Sequence, residues 1–160
     1  MKDENKIIYT KEKYEEMKAE LWDLEHVQQP ANIEALELAR SQGDLSENAD
    51  YDAARKRQGE IEARIIELRN RIENGTIADN KGSKTIGITD YVTFKKVATG
   101  ETVDVQVVSG DESDVLVTPI KISANSPVGR VLIGKSVTGE KLTVETATPY
   151  EIEIVSFKHI

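Results

Sequence analysis

"SQGDLSENADY", residues 41–51, interrupts a long helical pattern at Gly43 and sets Asp44, Glu47 and Asp50 three residues apart with no basic side chain among them. Upstream, Met17, Leu21, Leu24, Gln28, Ala31, Ala35 and Leu38 step by fours and threes, the seam spacing of a coiled coil. Downstream, Tyr51, Ala54, Gln58, Ile61, Ile65, Leu68 and Ile72 do the same. The two series are mirror images: Met17 faces Ile72, Leu21 faces Leu68, and in every such pair the positions add to 89. Reversing the chain between Asp44 and Leu45 therefore brings seven layers into register. The spacing predicts an antiparallel α-helical coiled-coil hairpin over residues 1–76, with its tip at 43–47. From residue 17 to residue 44 the arm spans about 40 Å at ~1.5 Å per residue. Leu and Ile fill the layers at its base and Ala those near its tip, so the rod tapers. Pro30 removes one backbone donor inside the first helix, which bends it there or starts a new helical segment.

Beyond the hairpin the period changes. Residues 77–84 carry Asn, Gly and Ser punctuation and read as a linker. From residue 85 onward, "YVTFKKV" (91–97), "ETVDVQVVS" (101–109), "DVLVT" (114–118), "EKLTVET" (140–146) and "YEIEIVSF" (150–157) alternate and are rich in β-branched residues. "SPVGRVLIG" (126–134) reads as a short helix with Ser126 at the N-cap, Pro127 at the first position and Gly134 at the end. The expected class is α+β in two domains: the hairpin at 1–76 and, at 85–160, an antiparallel sheet crossed by one helix.

Composition limits the chemistry. The 160 residues carry a formal net charge of −8, most of it in residues 1–80, so bulk electrostatics do not favour a phosphate backbone. No cysteine is present, which removes disulfides, thiol catalysis and thiolate metal sites. "MKDENKIIYT" lacks the apolar run of a signal peptide, and no stretch approaches the ~20 apolar residues of a membrane span. A soluble, cytoplasmic protein is expected. His26 and His159 show no paired-ligand spacing, and Trp22 abuts the Leu21 and Leu24 stripe, where packing is its expected role.

Two readings of the acidic tip stay open on spacing alone. Asp44-Leu45-Ser46-Glu47 fits a capping box, and acidic side chains suit the positive end of a helix. Alternatively, two carboxylates three apart at a helix start face one side and supply hard oxygen ligands for Mg²⁺. They form only part of a site, because Mg²⁺ relies on waters and substrate phosphates for the rest of its shell. Arg40, Arg55, Lys56 and Arg57 lie behind the tip, either as a solvated surface with ordinary ion pairs or as a small patch for a phosphate backbone.

The stretches "QGDLSENADYDAA" (42–54) and "ISANSPVGRVLIGK" (122–135), in that order and separation, resemble the Gre family of bacterial transcript-cleavage factors, on its GreA rather than its GreB side. The resemblance covers nearly the whole chain. It implies an FKBP-like C-terminal domain that docks at the secondary channel of RNA polymerase, and a coiled coil that carries its tip through that channel. There, the resemblance implies, Asp44 and Glu47 help hold a second Mg²⁺ of the polymerase active centre and orient the water that cleaves backtracked nascent RNA near its 3′ end. It also implies RNA contact by Arg40, Arg55 and Arg57, and polymerase contact by Asn125, Ser126 and Pro127. The factor would have no cofactor or metal of its own, would not be an enzyme by itself, and would act as a monomer without a membrane. The alternative is a channel-binding paralogue that regulates polymerase without stimulating cleavage. With only Tyr91, Phe94, Tyr150 and Phe157 as aromatics in residues 85–160, prolyl isomerase activity is not expected.

Overall fold

The computed structural model describes residues 6–43 and 47–160. The chain forms two compact units: Tyr14–Gly75, and Thr76–Ile160 together with the N-terminal segment through Lys13. The N-terminal boundary therefore differs from the expected 1–76. The segment before Tyr14 belongs with the sheet, because strand β1 (Ile7–Tyr9) pairs with β2 (Gly75–Ile77) in a two-stranded sheet. Tyr9 is fully buried there and its hydroxyl donates to Asp111 at 2.7 Å. Thr10 is fastened to the same place. The buried Glu112 carboxylate accepts from its N–H at 2.9 Å and from its hydroxyl at 2.7 Å.

Helix α1 (Lys11–Asp23) begins directly after Thr10, whose Oγ1 accepts from Lys13 N–H at 3.1 Å. Five residues in π conformation, Leu24–Gln28, separate it from α2 (Gln29–Ser41), and α3 (Ala49–Glu73) returns. The outgoing and returning runs are antiparallel. Tyr14 Oη donates to the Ile72 carbonyl at 3.0 Å, Arg64 grips Glu20 through two bonds of 2.7 and 2.9 Å, and Arg69 reaches Glu25 at 2.9 Å. Farther along, Arg57 bonds Gln28, and Asn32 Nδ2 donates to the Ala54 carbonyl at 3.1 Å. The forked contact to Glu20 pushes the Arg64 pKa further up, against the opposing effect of partial burial.

On α3 the expected seam is the observed one: Ala54, Ile61, Ile65 and Leu68 are buried, and Tyr51, Gln58 and Ile72 half-buried. On the outgoing run it holds only to the π turn. Met17 and Leu24 are buried and Leu21 and Gln28 half-buried, but Ala31, Ala35 and Leu38 are exposed, and Asn32, Leu36 and Ala39 are buried in their place. The correction is a shift of one residue. In the π turn the Gln29 N–H reaches back five residues to the Leu24 carbonyl, absorbing one residue more than an α turn would. Pro30 lies just beyond; it has no N–H for the fourth-preceding carbonyl, and its ring crowds that group. The turn widens there, and the buried positions after it advance by one. Buried Asn32 is satisfied across the seam by the Ala54 carbonyl. Trp22, expected to pack, is 59% exposed and stacks on His26 with ring centroids 4.7 Å apart.

The second unit is built on a five-stranded sheet of order β5-β4-β3-β7-β6, from β3 (Tyr91–Lys96), β4 (Thr102–Val108), β5 (Ile120–Ser123), β6 (Lys141–Val144) and β7 (Tyr150–Lys158). Helix α4 (Pro127–Leu132) follows β5. Val92, Phe94, Val105, Val107, Leu132, Val144, Ile152 and Ile154 form the buried core with Ile86. The sheet is mixed, not wholly antiparallel as expected, since β5 runs parallel to β4 with Val105 opposite Ile120. The expected strand at 114–118 is a loop. Asp114 Oδ1 accepts from Leu116 N–H at 2.9 Å, a side-chain turn that competes with extended pairing, and Val115 and Leu116 are 72% and 92% exposed. The strand begins instead after Pro119.

Residues 78–90, which include most of the expected linker, are tied to the sheet unit. The fully buried Asp90 accepts from Gly87 N–H at 2.7 Å and from Asn80 Nδ2 at 3.0 Å. His159 Nδ1 lies 2.8 Å from the same carboxylate, and its Nε2 lies 2.7 Å from the Ser83 carbonyl. Both ring nitrogens face acceptors, so the bond to Ser83 first and Asp90 second raise the pKa of His159. Among the described residues, no helix is long and apolar enough to cross a membrane.

Candidate functional site

The end of the helical unit is assembled from two incomplete helix termini. α2 leaves its last carbonyls without intrahelical partners and α3 leaves its first N–H groups likewise. Ser41 Oγ donates to the Leu38 carbonyl at 2.6 Å, and Gln42 N–H donates to the Ala39 carbonyl at 3.3 Å. Gly43 has φ +119°, a conformation that favours glycine, and it ends the outgoing run. On the returning side the N-cap is Asn48, whose Oδ1 accepts from Tyr51 N–H at 3.1 Å. The same side chain crosses to the other helix, where Nδ2 donates to the Ala39 carbonyl at 2.6 Å.

This capping corrects one reading of the tip. α3 starts at Ala49, so Glu47 precedes the cap instead of occupying a first helical turn. A capping box closed by Glu47 is absent, and helical spacing does not orient Glu47. Asp44 lies outside the described residues. Glu47 is exposed and lines an open hollow of about 330 Å³ with Gln42, Asn48, Ala49 and Asp50. Two carboxylates, Glu47 and Asp50, thus border one concavity, and Asp50 and Asp52 both lie in the first turn of α3. These are hard oxygen donors open to one side, a set that suits part of a Mg²⁺ shell. Among the described residues, no three or more His, Cys, Asp or Glu side chains gather closely enough to hold a metal ion.

The basic residues have different partners. The Arg40 guanidinium lies 5.9 Å from the centre of the Tyr51 ring, beside the tip. Arg55 donates to Gln58 at 3.0 Å, whereas Arg57 is engaged with Gln28 and lies 3.6 Å from Glu60. All three arginines are exposed, but Arg57 points toward the π turn and Arg40 toward the tip. Asn125, Ser126 and Pro127 do form one feature, the N-terminal end of α4. Ser126 Oγ accepts from Gly129 N–H at 3.1 Å and donates to the Ser123 carbonyl at 2.6 Å, and Asn125 and Pro127 are exposed beside it. A groove of about 930 Å³ lies elsewhere on the sheet unit, bordered by Tyr91, Val103, Pro119 and Phe157. Its lining is largely apolar.

Sequence reasoning carried Glu47 forward as a site residue and placed Asp50 in the acidic spacing, but passed over Asn48. The signal was present, because Asn is a favoured N-cap and two acids follow it within one turn. Asp44 offered the same cap chemistry four residues earlier, and periodicity cannot choose between them.

Comparison with known proteins matches residues 7–77 to the family described as transcription elongation factor, N-terminal, and residues 81–159 to transcription elongation factor, GreA/GreB, C-terminal. The chain is 44% identical over 153 residues to transcription elongation factor GreA of Mesoplasma florum, covering 92% of this chain and 95% of that protein. It is 41% identical over 157 residues to the GreA of Mycoplasma capricolum, covering 95% and 98%. A solved structure of GreA factor homolog 1 from Thermus thermophilus is 31% identical, with a TM-score of 0.43 and coverage of 96% of this chain and 99% of that one.

Proposed function

The chain belongs to the GreA/GreB family of transcription elongation factors, and from that membership we propose that it stimulates cleavage of backtracked nascent RNA by bacterial RNA polymerase. The factor acts as a monomer in the cytoplasm. Its sheet unit, read as FKBP-like, docks on polymerase through the α4 end at Asn125, Ser126 and Pro127. Its helical pair, read as a coiled coil, enters the secondary channel. One observation carries the reading: the pair ends in exposed carboxylate chemistry, with Glu47 and Asp50 bordering an open hollow. Such an end is of little use alone and becomes useful inside a cavity that already holds phosphate.

In this reading Glu47 and Asp44 lend carboxylate oxygens to the polymerase active centre. Mg²⁺ held there supplies Lewis-acid assistance to phosphodiester hydrolysis. Glu47 brings negative charge that favours the cation and accepts a hydrogen bond from the attacking water. Arg40, held beside the tip by Tyr51, faces RNA phosphate; Arg55 and Arg57 lie farther back along the same arm. The protein supplies residues and polymerase supplies the rest, so the factor is an accessory and not an enzyme by itself.

The test is cleavage in arrested elongation complexes by Asp44→Asn and Glu47→Gln. Loss of cleavage with retained polymerase binding supports the reading. Undiminished cleavage by both variants rejects it.

A further inference from the structure

Glu47 lies beyond the end of α2 and directly before Asn48, the N-cap of α3, so it belongs to neither helix. A carboxylate that must meet a metal and a water needs to be held within about 0.5 Å of its productive place. Some neighbouring group has to hold it. We propose that Asn48 is a positioning residue for the reaction, its amide joining the ends of α2 and α3 so that the Glu47 carboxylate is presented in one place. The inference rests on the cleavage reading above.

The argument is one of hydrogen-bond inventory. Asn48 is half-buried, in extended conformation at φ −91° and ψ 97°. Its Oδ1 accepts from Tyr51 N–H at 3.1 Å, satisfying an orphan donor of α3, while Nδ2 donates to Ala39 O at 2.6 Å, satisfying an orphan acceptor of α2. The Ala39 carbonyl also receives Gln42 N–H at 3.3 Å, so one acceptor gathers both sides of the reversal. An amide supplies an acceptor and a donor from one short planar group. Aspartate or serine at this position keeps the cap but cannot span to Ala39 in the same way. The peptide that fixes Asn48 is also the peptide of Glu47, so freeing one frees the other.

Asn48→Asp retains the cap acceptor and removes the donor. Asn48→Ser keeps a cap acceptor without added charge, on a hydroxyl one atom shorter than the amide nitrogen that reaches Ala39. Both are compared with wild type and Glu47→Gln in cleavage of arrested complexes across a range of factor concentration, with helix content followed by circular dichroism. The expected result is helix content unchanged, half-saturating concentration within about twofold of wild type, and maximal cleavage lowered roughly 10- to 100-fold in both variants, the scale of a misplaced reacting group. ¹⁵N relaxation of the Glu47 amide should show a lower order parameter in both variants, whether or not polymerase is present. A role in folding alone would raise the half-saturating concentration and leave the maximum unchanged, which overturns the proposal. Wild-type maximal cleavage by Asn48→Asp and Asn48→Ser while Glu47→Gln is inactive overturns it alone. Wild-type cleavage by Glu47→Gln overturns both it and the reading beneath it.

Discussion

Two leucines on α2, two positions apart, separate the observed seam from the one that uninterrupted helical spacing would give. Leu36 is 5% exposed and Leu38 62% exposed; without the π turn the assignments would be reversed. Truncating a buried leucine to alanine costs about 2–5 kcal/mol. The buried positions next to Leu36 on the same helix, Asn32 and Ala39, and the buried Ala54 of α3 are all smaller than leucine, which places Leu36→Ala near the lower end, about 2–3 kcal/mol. Leu38→Ala removes a side chain already in water and should stay within about 0.5 kcal/mol. For a unit of this size each kcal/mol shifts the melting temperature by roughly 4–8 °C, so Leu36→Ala should melt roughly 8–24 °C below wild type. Helical circular dichroism reads the transition, because α2, α3 and α1 from Tyr14 onward lie in this unit. A loss in Leu38→Ala as large as in Leu36→Ala would refute the one-residue shift and the account of Pro30 that goes with it.

Three further outcomes follow from the sheet unit. A Cβ on Gly129 would stand 2.2 Å from the Ser123 carbonyl oxygen, and backbone there cannot yield cheaply, so Gly129→Ala should destabilise by about 1–3 kcal/mol or more in chemical denaturation. Glu112→Gln turns an amide toward the N–H and hydroxyl of Thr10 and should cost about 1–3 kcal/mol, with amide exchange rising first in β1. His159 has a raised pKa in the folded state through Ser83 and Asp90. Its stabilising contribution is therefore complete below its ordinary value of 6.5 and declines as pH rises through the folded pKa. Denaturation of wild type and His159→Gln should converge toward high pH, and a gap that widens there would contradict the assignment.

Much of the architecture was legible because local and tertiary signals agreed. The α3 seam is uninterrupted from Tyr51 to Ile72, and burial follows it without exception. Ser126, Pro127 and Gly134 announced α4, and Gly134 does adopt a positive φ, +80°. Errors arose where one residue changes everything after it. A π turn is invisible to a 3.6-residue period until its consequence is seen, so the period puts Ala31, Ala35 and Leu38 in the seam where the structure has Asn32, Leu36 and Ala39. In "DVLVT" the alternation is that of a strand, but the Asp114 side chain captures Leu116 N–H and turns the backbone. β1 and β2 are three residues each, too short for any period to register. At the tip, cap chemistry was readable while its position was not, since Asp44 and Asn48 are both competent caps.

The most direct test of tip delivery replaces the active-centre Mg²⁺ of polymerase with Fe²⁺ and lets locally generated hydroxyl radicals cut the factor bound to an arrested complex. The account predicts cuts confined to the neighbourhood of residues 41–50, lost when free Mg²⁺ competes for the centre. Cuts centred on residues 91–158, or none in the bound factor, would contradict delivery of Glu47 to the reacting phosphate.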